Sequence, residues 1–293
     1  MATWNTDNPA VGNQITADIA DIEENLQELH DVITAITNGT LGTTTATDFQ
    51  VDAVSTPAIW LDRARFEWKD ADEIYIHAGA YHHVGTVSQV VYWNTKLTSD
   101  IGSPDASDWY YLYLDDSAIV TADTNLLTTT ELLWSNTEPA WSDAKHGWYN
   151  GEDKCIFAVY SDASNNISEF WHDGGDQVLF FNTNDPFSEA PTDTYADVTL
   201  LVPKFSTKAS ISCTIIVSTG ASDGSTYVYL RPKGSTVDIL PYGVTTYHDP
   251  HRHVFMTPMF TDTSQRIQIK QAITNAYVEV NISVRGWYYP TGM

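Results

Sequence analysis

The sequence predicts a mainly β protein with a short N-terminal α-helical coiled coil. Aromatic residues make up 12% of the 293 residues, and Lys and Arg together number only 14, a composition typical of strands and not of helical bundles. Short apolar runs alternate with clusters of Thr, Ser, Asn and Asp, which indicates many strands joined by turns. Near the N-terminus the pattern changes, and apolar residues recur with a seven-residue repeat.

The heptad pattern occupies residues 15–36, where apolar side chains are spaced alternately by four and three residues. The a and d positions are Ile15, Ile19, Ile22, Leu26, Leu29, Ile33 and Ile36. Ile-rich a and d layers favour three or four strands over two, so we expect a trimeric stem over 15–38 that ends at Asn38-Gly39. An amphipathic helix that packs on its own domain is the alternative.

Two β-rich regions follow the stem, each preceded by a segment of small and polar residues. The predicted boundaries are 39–48 for a first linker, 49–182 for a β-rich middle module, 183–194 for a second linker and 195–293 for a C-terminal module. In the C-terminal module Val278, Val280, Ile282 and Val284 alternate with polar residues, which is typical of a strand with one buried face. We therefore predict a β-sandwich there, jelly-roll-like in size.

Charge and apolar patterning exclude two classes of partner. A net charge of −24 repels the phosphate backbone, so nucleic acid is disfavoured as a partner. The sequence starts without a basic, apolar leader and contains no window of membrane-spanning character, so we expect folding in a cytoplasm and no membrane insertion. Cys155 and Cys213 lie in apolar runs, which predicts buried thiols and no disulfide.

Three stretches carry a family resemblance. They are Trp4 with residues 11–17 and 25–29, then segments between Trp68 and Ile167, and finally residues 266–288. In their order along the chain and in their residue composition, these stretches resemble tail fibres and minor virion structural proteins of tailed bacteriophages. The resemblance implies a homotrimer whose residues 1–14 attach to another virion protein, and it places Trp4, Pro9 and Val11 in that attachment segment.

The same resemblance implies a non-enzymatic tail fibre or spike, assembled in the host cytoplasm and located in the virion. Its β modules are expected to contact a glycan or protein of the host surface. A head fibre or capsid decoration protein is the alternative within the virion, and a polysaccharide-degrading tailspike is the alternative among enzymes. The long repeats expected of a β-helical depolymerase are missing from the sequence.

Catalytic motifs are weak, so no catalytic residue and no organic cofactor is predicted. The G-x-S-x-G match at 220–224 is followed by a strand pattern and not by a helix, which favours a hairpin turn over a nucleophile. The carboxylate pairs Asp115-Asp116 and Asp173 with Asp176 are interpreted as solvated turn residues, although such pairs could serve glycoside hydrolysis across a cleft.

Histidine and tryptophan supply the remaining candidate sites. His251 and His253 would share one face of a strand, and similar His-x-His pairs hold an iron ion in some trimeric phage fibres, where six imidazoles complete an octahedron. A polar loop containing Pro250 is the alternative. Adjacent His82 and His83 would point to opposite faces and receive no role. Most tryptophans are expected in the core, with one or two exposed as platforms for sugar stacking.

The stem generates the first testable prediction. Three heptads are too short for a stable isolated helix in water, so helicity and association should rise together. Replacing Ile22→Asp and Leu26→Asp buries unpaired charges in adjacent layers and costs several kcal/mol per subunit. Solution mass and circular dichroism should then show loss of trimer and of helix, with the strand signal retained. A wild-type monomer that keeps this helix would contradict the stem.

Overall fold

Antiparallel strands account for almost all the regular structure of the described residues. This computed structural model describes residues 63–122, 124–218, 224–238, 240–246, 251–272 and 278–293. The heptad seam, the first linker and the attachment residues Trp4, Pro9 and Val11 lie outside these ranges. Among the described residues, no helix has the length and apolar composition needed to cross a membrane. The prediction of a mainly β protein is confirmed.

The first half of the described chain contains three small sheets. Its strands are β1 (Phe66–Trp68), β2 (Glu73–Ile76), β3 (Gly79–Val84), β4 (Ser88–Trp93), β5 (Leu97–Asp100), β6 (Trp109–Leu114), β7 (Leu132–Ser135), β8 (Ala140–Ser142), β9 (Gly147–Asn150), β10 (Asp153–Tyr160) and β11 (Phe170–His172). The sheet orders are β1-β2-β5, β3-β4 and β7-β6-β10-β9-β8. A short helix, α1 (Asp116–Thr121), and a 3-10 turn at Thr129–Glu131 lie between β6 and β7.

The second half forms two antiparallel sheets. Its strands are β12 (Gln177–Glu189), β13 (Ala196–Thr199), β14 (Lys208–Val217), β15 (Gly224–Pro232), β16 (Leu240–Thr246), β17 (His251–Phe260), β18 (Arg266–Gln271) and β19 (Val278–Tyr288). One sheet has the order β12-β19-β14-β17, with β11 added beside β12, and the other has the order β13-β18-β15-β16. Counted from one to eight, these orders are 1-8-3-6 and 2-7-4-5, which is the strand order of a jelly roll.

The prediction of a linker at 183–194 is wrong for residues 183–189, which belong to a strand. Strand β12 continues to Glu189, where it pairs with Val280 of β19, so the sandwich begins at Gln177 and not at residue 195. Asn, Asp and Pro residues made this stretch resemble a loop. The register of β12 shifts on both sides of Asn184, and irregularities of this kind accommodate a residue such as Pro186 that cannot donate to a ladder.

Strict alternation of apolar residues builds the inner faces of the sandwich. Val278, Val280, Ile282 and Val284 of β19 are all fully buried, as the sequence predicted. Both cysteines are buried and unbridged. Gly286 lets β12 and β19 approach closely, because a Cβ added there would lie 2.0 Å from the carbonyl oxygen of Val178.

The G-x-S-x-G segment does not join the two strands of a hairpin. Strand β14 before it pairs with β17 and β19, whereas β15 after it pairs with β16 and β18 in the opposite sheet. Residues 219–223 themselves lie outside the described ranges. Strands β14 and β15 are therefore in different sheets, and the alternation within each strand could not show whether the two pair with each other.

The two predicted modules share one core. Phe157 of β10 stacks on Phe66 of β1, with ring centroids 4.1 Å apart and an interplanar angle of 9°. The same ring lies 6.0 Å from Trp287 of β19, which in turn lies 5.4 Å from Phe205. Residues Trp60–Met293 accordingly belong to one compact unit. The sequence pattern predicted two modules, whereas the described strands pack as one unit.

A buried polar cluster fixes α1 against the β3–β4 hairpin. His83 Nε2 lies 2.9 Å from Asp116 Oδ1, and Thr86 donates its N–H to Oδ1 at 2.9 Å and its hydroxyl to Oδ2 at 2.6 Å. Asp116 is only 5% exposed, so its interpretation as a solvated turn residue is wrong. Its neighbour Asp115 caps the helix, accepting from Ser117 N and Ala118 N. His82 and His83 do point to opposite faces, and His83 is the buried one.

We call the compact unit of residues Trp60–Met293 the β body. Removal of the Asp116 carboxylate should destabilise it far more than removal of the Asp115 carboxylate. Asp116→Ala leaves buried His83 without its acceptor and removes two hydrogen bonds from Thr86 to a carboxylate, at a cost of about 3 kcal/mol. Asp115→Ala removes a helix cap and should cost about 1 kcal/mol. Denaturant unfolding followed by circular dichroism measures both, and equal losses would contradict the structural role of the cluster.

The same pair of variants should differ in acid stability. Burial alone would raise the pKa of Asp116, but hydrogen bonds from Thr86 and His83 outweigh it and hold the pKa below its ordinary value. A depressed folded pKa contributes stability above the unfolded carboxyl pKa, and this contribution is lost as pH falls through the folded value. The loss of stability between neutral and acid pH should therefore be smaller in Asp116→Ala than in Asp115→Ala.

Candidate functional site

Two tryptophans expose much of their side chains. Trp141 is 41% exposed and Trp171 is 50% exposed, whereas Trp93 and Trp287 are buried. Four further tryptophans pack partly against the core, namely Trp68, Trp109, Trp134 and Trp148. Among the described tryptophans, six contact the core fully or in part and two are exposed, as expected, while a role in sugar stacking stays a prediction. Trp141 already uses its indole N–H, which donates to Asp143 at 2.7 Å.

Trp171 projects outward because β11 alternates. Phe170 and His172 on either side of it are buried, and Trp171 itself lies opposite Leu179 of β12. Phe181, two residues further along β12, is 58% exposed. These residues place an apolar aromatic surface at the edge of the larger sheet of the sandwich.

The buried side chain of His172 stabilises this edge of the sheet through two hydrogen bonds. Its Nδ1 accepts from the backbone N–H of Phe66 at 3.1 Å, and its Nε2 lies 3.0 Å from the carbonyl oxygen of Gly175. Together these contacts require the neutral ring with the proton on Nε2. Burial is the main cause that lowers the pKa of His172, which favours the same neutral form. The loop at 173–176 is therefore tied to both β1 and β11.

A polar cluster is formed by Arg65 immediately before β1, Glu67 in β1 and His77 immediately after β2. Arg65 Nη2 is 2.8 Å from Glu67 Oε2, and His77 Nε2 is 2.6 Å from the same oxygen. The hydrogen bond from His77 lowers the pKa of Glu67, and Arg65 adds to this effect against the opposing influence of burial. Glu67 is thus an ionised acceptor, and Arg65 supplies fixed donors beside it.

The polar cluster and the exposed tryptophan line one shallow cavity, which we call the Trp171 surface. Its volume is about 210 Å³, and its lining residues are Arg65, Phe66, Glu67, Phe170, Trp171 and His172. A flat aromatic face flanked by hydrogen-bonding groups matches a sugar ring, which offers apolar C–H faces and equatorial hydroxyls.

The predicted metal ligands His251 and His253 begin strand β17, with ring centroids 5.1 Å apart. They lie in a strand and not in a polar loop. Both are half-buried and share the face of β17 that carries buried Met259, and His253 lies opposite buried Ile215. The common face agrees with the sequence pattern, while the metal itself stays a prediction.

Three carboxylates at the β1–β2 turn also bring ligand atoms together. Oxygens of Asp70, Asp72 and Glu73 lie within 4.8 Å of one another on the surface. Lys69 forms ion pairs with both Asp70 and Glu73, which offsets part of their charge. Exposed acidic clusters of this kind are common in an acidic protein. The ion pairs with Lys69 account for the close approach of these carboxylates.

The second predicted carboxylate pair lies in an exposed loop. Asp173 accepts from the backbone N–H of Gly175 at 2.8 Å, and Asp176 forms an ion pair with Arg63 at 3.0 Å. The side chain of Asp176 is 81% exposed. Their interpretation as solvated turn residues is therefore confirmed.

Comparisons with known proteins give distant likenesses. No protein-family model and no curated protein matches the chain. A solved structure of infectious bursal disease virus (Gx strain) is similar with 10% identity and a TM-score of 0.21, over 80% of this chain and 76% of that one. A carbohydrate-binding module of the β-sandwich superfamily is similar with 12% identity and a TM-score of 0.17, over 80% and 100% of the two chains. At these scores neither likeness supports an argument about function.

A metal at His251 and His253 needs ligands from more than one subunit, because one chain supplies two imidazoles here. Elemental analysis of protein purified without chelators should then find about one transition-metal ion per three chains. His251→Ala should remove the metal, and His82→Ala, which changes an exposed histidine elsewhere, should retain it. Metal-free wild-type trimer of full stability would contradict the prediction.

Proposed function

We propose that this chain is a structural subunit of a tailed-bacteriophage virion, a trimeric tail fibre or spike held by its N-terminal segment. In this proposal residues 15–38 trimerise and the β body beyond them contacts the surface of the host cell. The Trp171 surface is the part of the body that binds a host glycan. The protein binds this glycan without cleaving it.

The observation that carries the proposal is the exposure of Trp171 beside Arg65 and Glu67. Large aromatic side chains are normally buried, and half of the Trp171 side chain is left in solvent although its neighbours Phe170 and His172 are buried. Its backbone is held by a paired strand, so no segment of chain has to become ordered on binding. The adjacent ionised Glu67 and the guanidinium of Arg65 can select the hydroxyl pattern of a stacked sugar.

The fold and the charge of the chain are compatible with this role. Double-sheet jelly rolls occur among viral capsid proteins and lectins, although a fold by itself does not determine function. A net charge of −24 keeps copies soluble when many are present at one particle surface. Neither property is specific enough to replace the argument from the Trp171 surface.

Binding without cleavage is supported by the acidity of the carboxylate at the site. A glycoside hydrolase needs one carboxylic acid whose pKa is raised so that it can protonate the leaving oxygen. Glu67 has a lowered pKa. Two described carboxyls have a raised pKa, Asp72 mainly through its hydrogen bond with Asp70 and Asp153 mainly through burial, and neither lines the Trp171 surface. Release of reducing sugars from host polysaccharides by the purified trimer would instead establish a tailspike enzyme.

Replacement of Trp171 by alanine should weaken glycan binding by about tenfold or more, because the stacking face is lost while the buried neighbours remain. The full-length protein would be titrated with surface polysaccharides of the host, and its adsorption to host cells would be measured in parallel. Trp141→Ala is the matched control, since it removes a second exposed tryptophan and should leave affinity unchanged.

Two results would overturn this assignment. Equal affinity of Trp171→Ala and wild type would show that the glycan binds elsewhere or not at all. Electron microscopy of virions labelled with antibody to the β body tests the location, and labelling of the head in place of the tail would identify a head fibre or decoration protein.

A further inference from the structure

A second cavity adjoins the Trp171 surface through the loop that follows His172. Its volume is about 400 Å³, large enough for a monosaccharide with part of its neighbour. The lining residues are Arg63, Ala80, Tyr81, His82, Lys154, Gly174, Asp176 and Met293. Gly174 also packs near Arg65, so one loop separates the two cavities.

The charges in this cavity are unusual for so acidic a chain. The sequence has 38 Asp and Glu against 14 Lys and Arg, yet two of those 14 cations, Arg63 and Lys154, line the same cavity. Arg63 is largely compensated. It forms an ion pair with Asp176 at 3.0 Å, donates to carbonyl oxygens of Gly175 and Met293, and stacks over the ring of Tyr289 at 4.1 Å.

Lys154 is the cation without a counter-charge. It is 9% exposed, and its Nζ donates to the carbonyl oxygen of His82 at 2.8 Å. Among the described residues no carboxylate lies within ion-pair distance of this ammonium, and burial alone lowers its pKa. An ammonium group has three donors, so two of them are available to a ligand.

A buried ammonium without an anion is costly, and a bound anion would offset that cost. We infer that the cavity around Lys154 binds a sugar carboxylate, so that the ligand is an acidic glycan. A carboxylate accepts from Lys154 in the cavity, while a neighbouring ring of the same glycan reaches Trp171 across the loop. Asp176 at the rim is held by Arg63, which reduces its repulsion of the incoming anion. The acidic glycan rests on the proposed function, but the anion site itself does not.

Thermal unfolding of the full-length protein with glucuronate, glucose and sulfate tests the anion site. Saturating glucuronate should raise the Tm of wild type by about 3 °C or more, and glucose at the same concentration, with NaCl added to match ionic strength, should not. Lys154→Met should abolish the shift. Its own Tm without ligand should equal or exceed that of wild type, because an unpaired buried charge is removed.

Lys204→Met is the matched control, because it removes the same charge from a side chain that is 57% exposed and paired with Glu138. This variant should keep the full response to glucuronate. Lys154→Gln, which retains a donor for the carbonyl oxygen of His82, serves as a second variant if Lys154→Met folds poorly. It should also lose the response.

The outcomes separate the inference from the proposed function. Absence of a glucuronate shift in wild type, or its persistence in both Lys154 variants, would overturn the anion site. An equal shift with sulfate would show a general anion site and overturn the sugar assignment. A Lys154-dependent glucuronate shift in a protein that binds no host polysaccharide would support the site while contradicting the proposed function.

Discussion

The contact among Phe157, Phe66 and Trp287 is the interaction on which the rest of the β body depends. One ring from β10 touches β1 on one side and β19 on the other, so residues distant in sequence enter a single core. Offset aromatic contacts contribute beyond the area they bury, and their geometry restricts how the strands can approach. Phe66 also links β1 to β11, because its backbone N–H donates to His172, and the Trp171 surface lies across these two strands.

The candidate site is built by alternation of buried and exposed residues along two short strands. Phe66 lies between Arg65 and Glu67, and Trp171 lies between Phe170 and His172. The buried members belong to the core, while Arg65 and Trp171 are exposed and Glu67 is half-buried. The backbone under each exposed side chain is therefore fixed by neighbours that cannot move without opening a cavity. If the proposed function is correct, this surface is presented by strands and not by a flexible loop.

The local sequence pattern was sufficient to predict strands, but it was insufficient to predict which strands pair with each other. Alternation in residues 278–284 predicted one buried face, and the apolar runs around Cys155 and Cys213 predicted buried thiols, because these signals depend only on burial. Pairing depends on distant residues, which explains why the bulged strand β12 resembled a linker and why β14 and β15 resembled a hairpin. Trp171 could not be singled out among the tryptophans for the same reason. The sequence contains no periodic pattern from which the buried pair of His83 with Asp116 could be predicted. The same holds for the position of Lys154, which among the described residues has no carboxylate within ion-pair distance.

The position of β19 has a consequence for biosynthesis. This strand lies between β12 and β14 in the larger sheet and brings Trp287 into the core, yet it is translated after every other described strand. The sandwich cannot close on the ribosome before Val278–Tyr288 has emerged. A chain terminated before β19 would leave the edges of β12 and β14 unpaired, and unpaired strand edges promote aggregation.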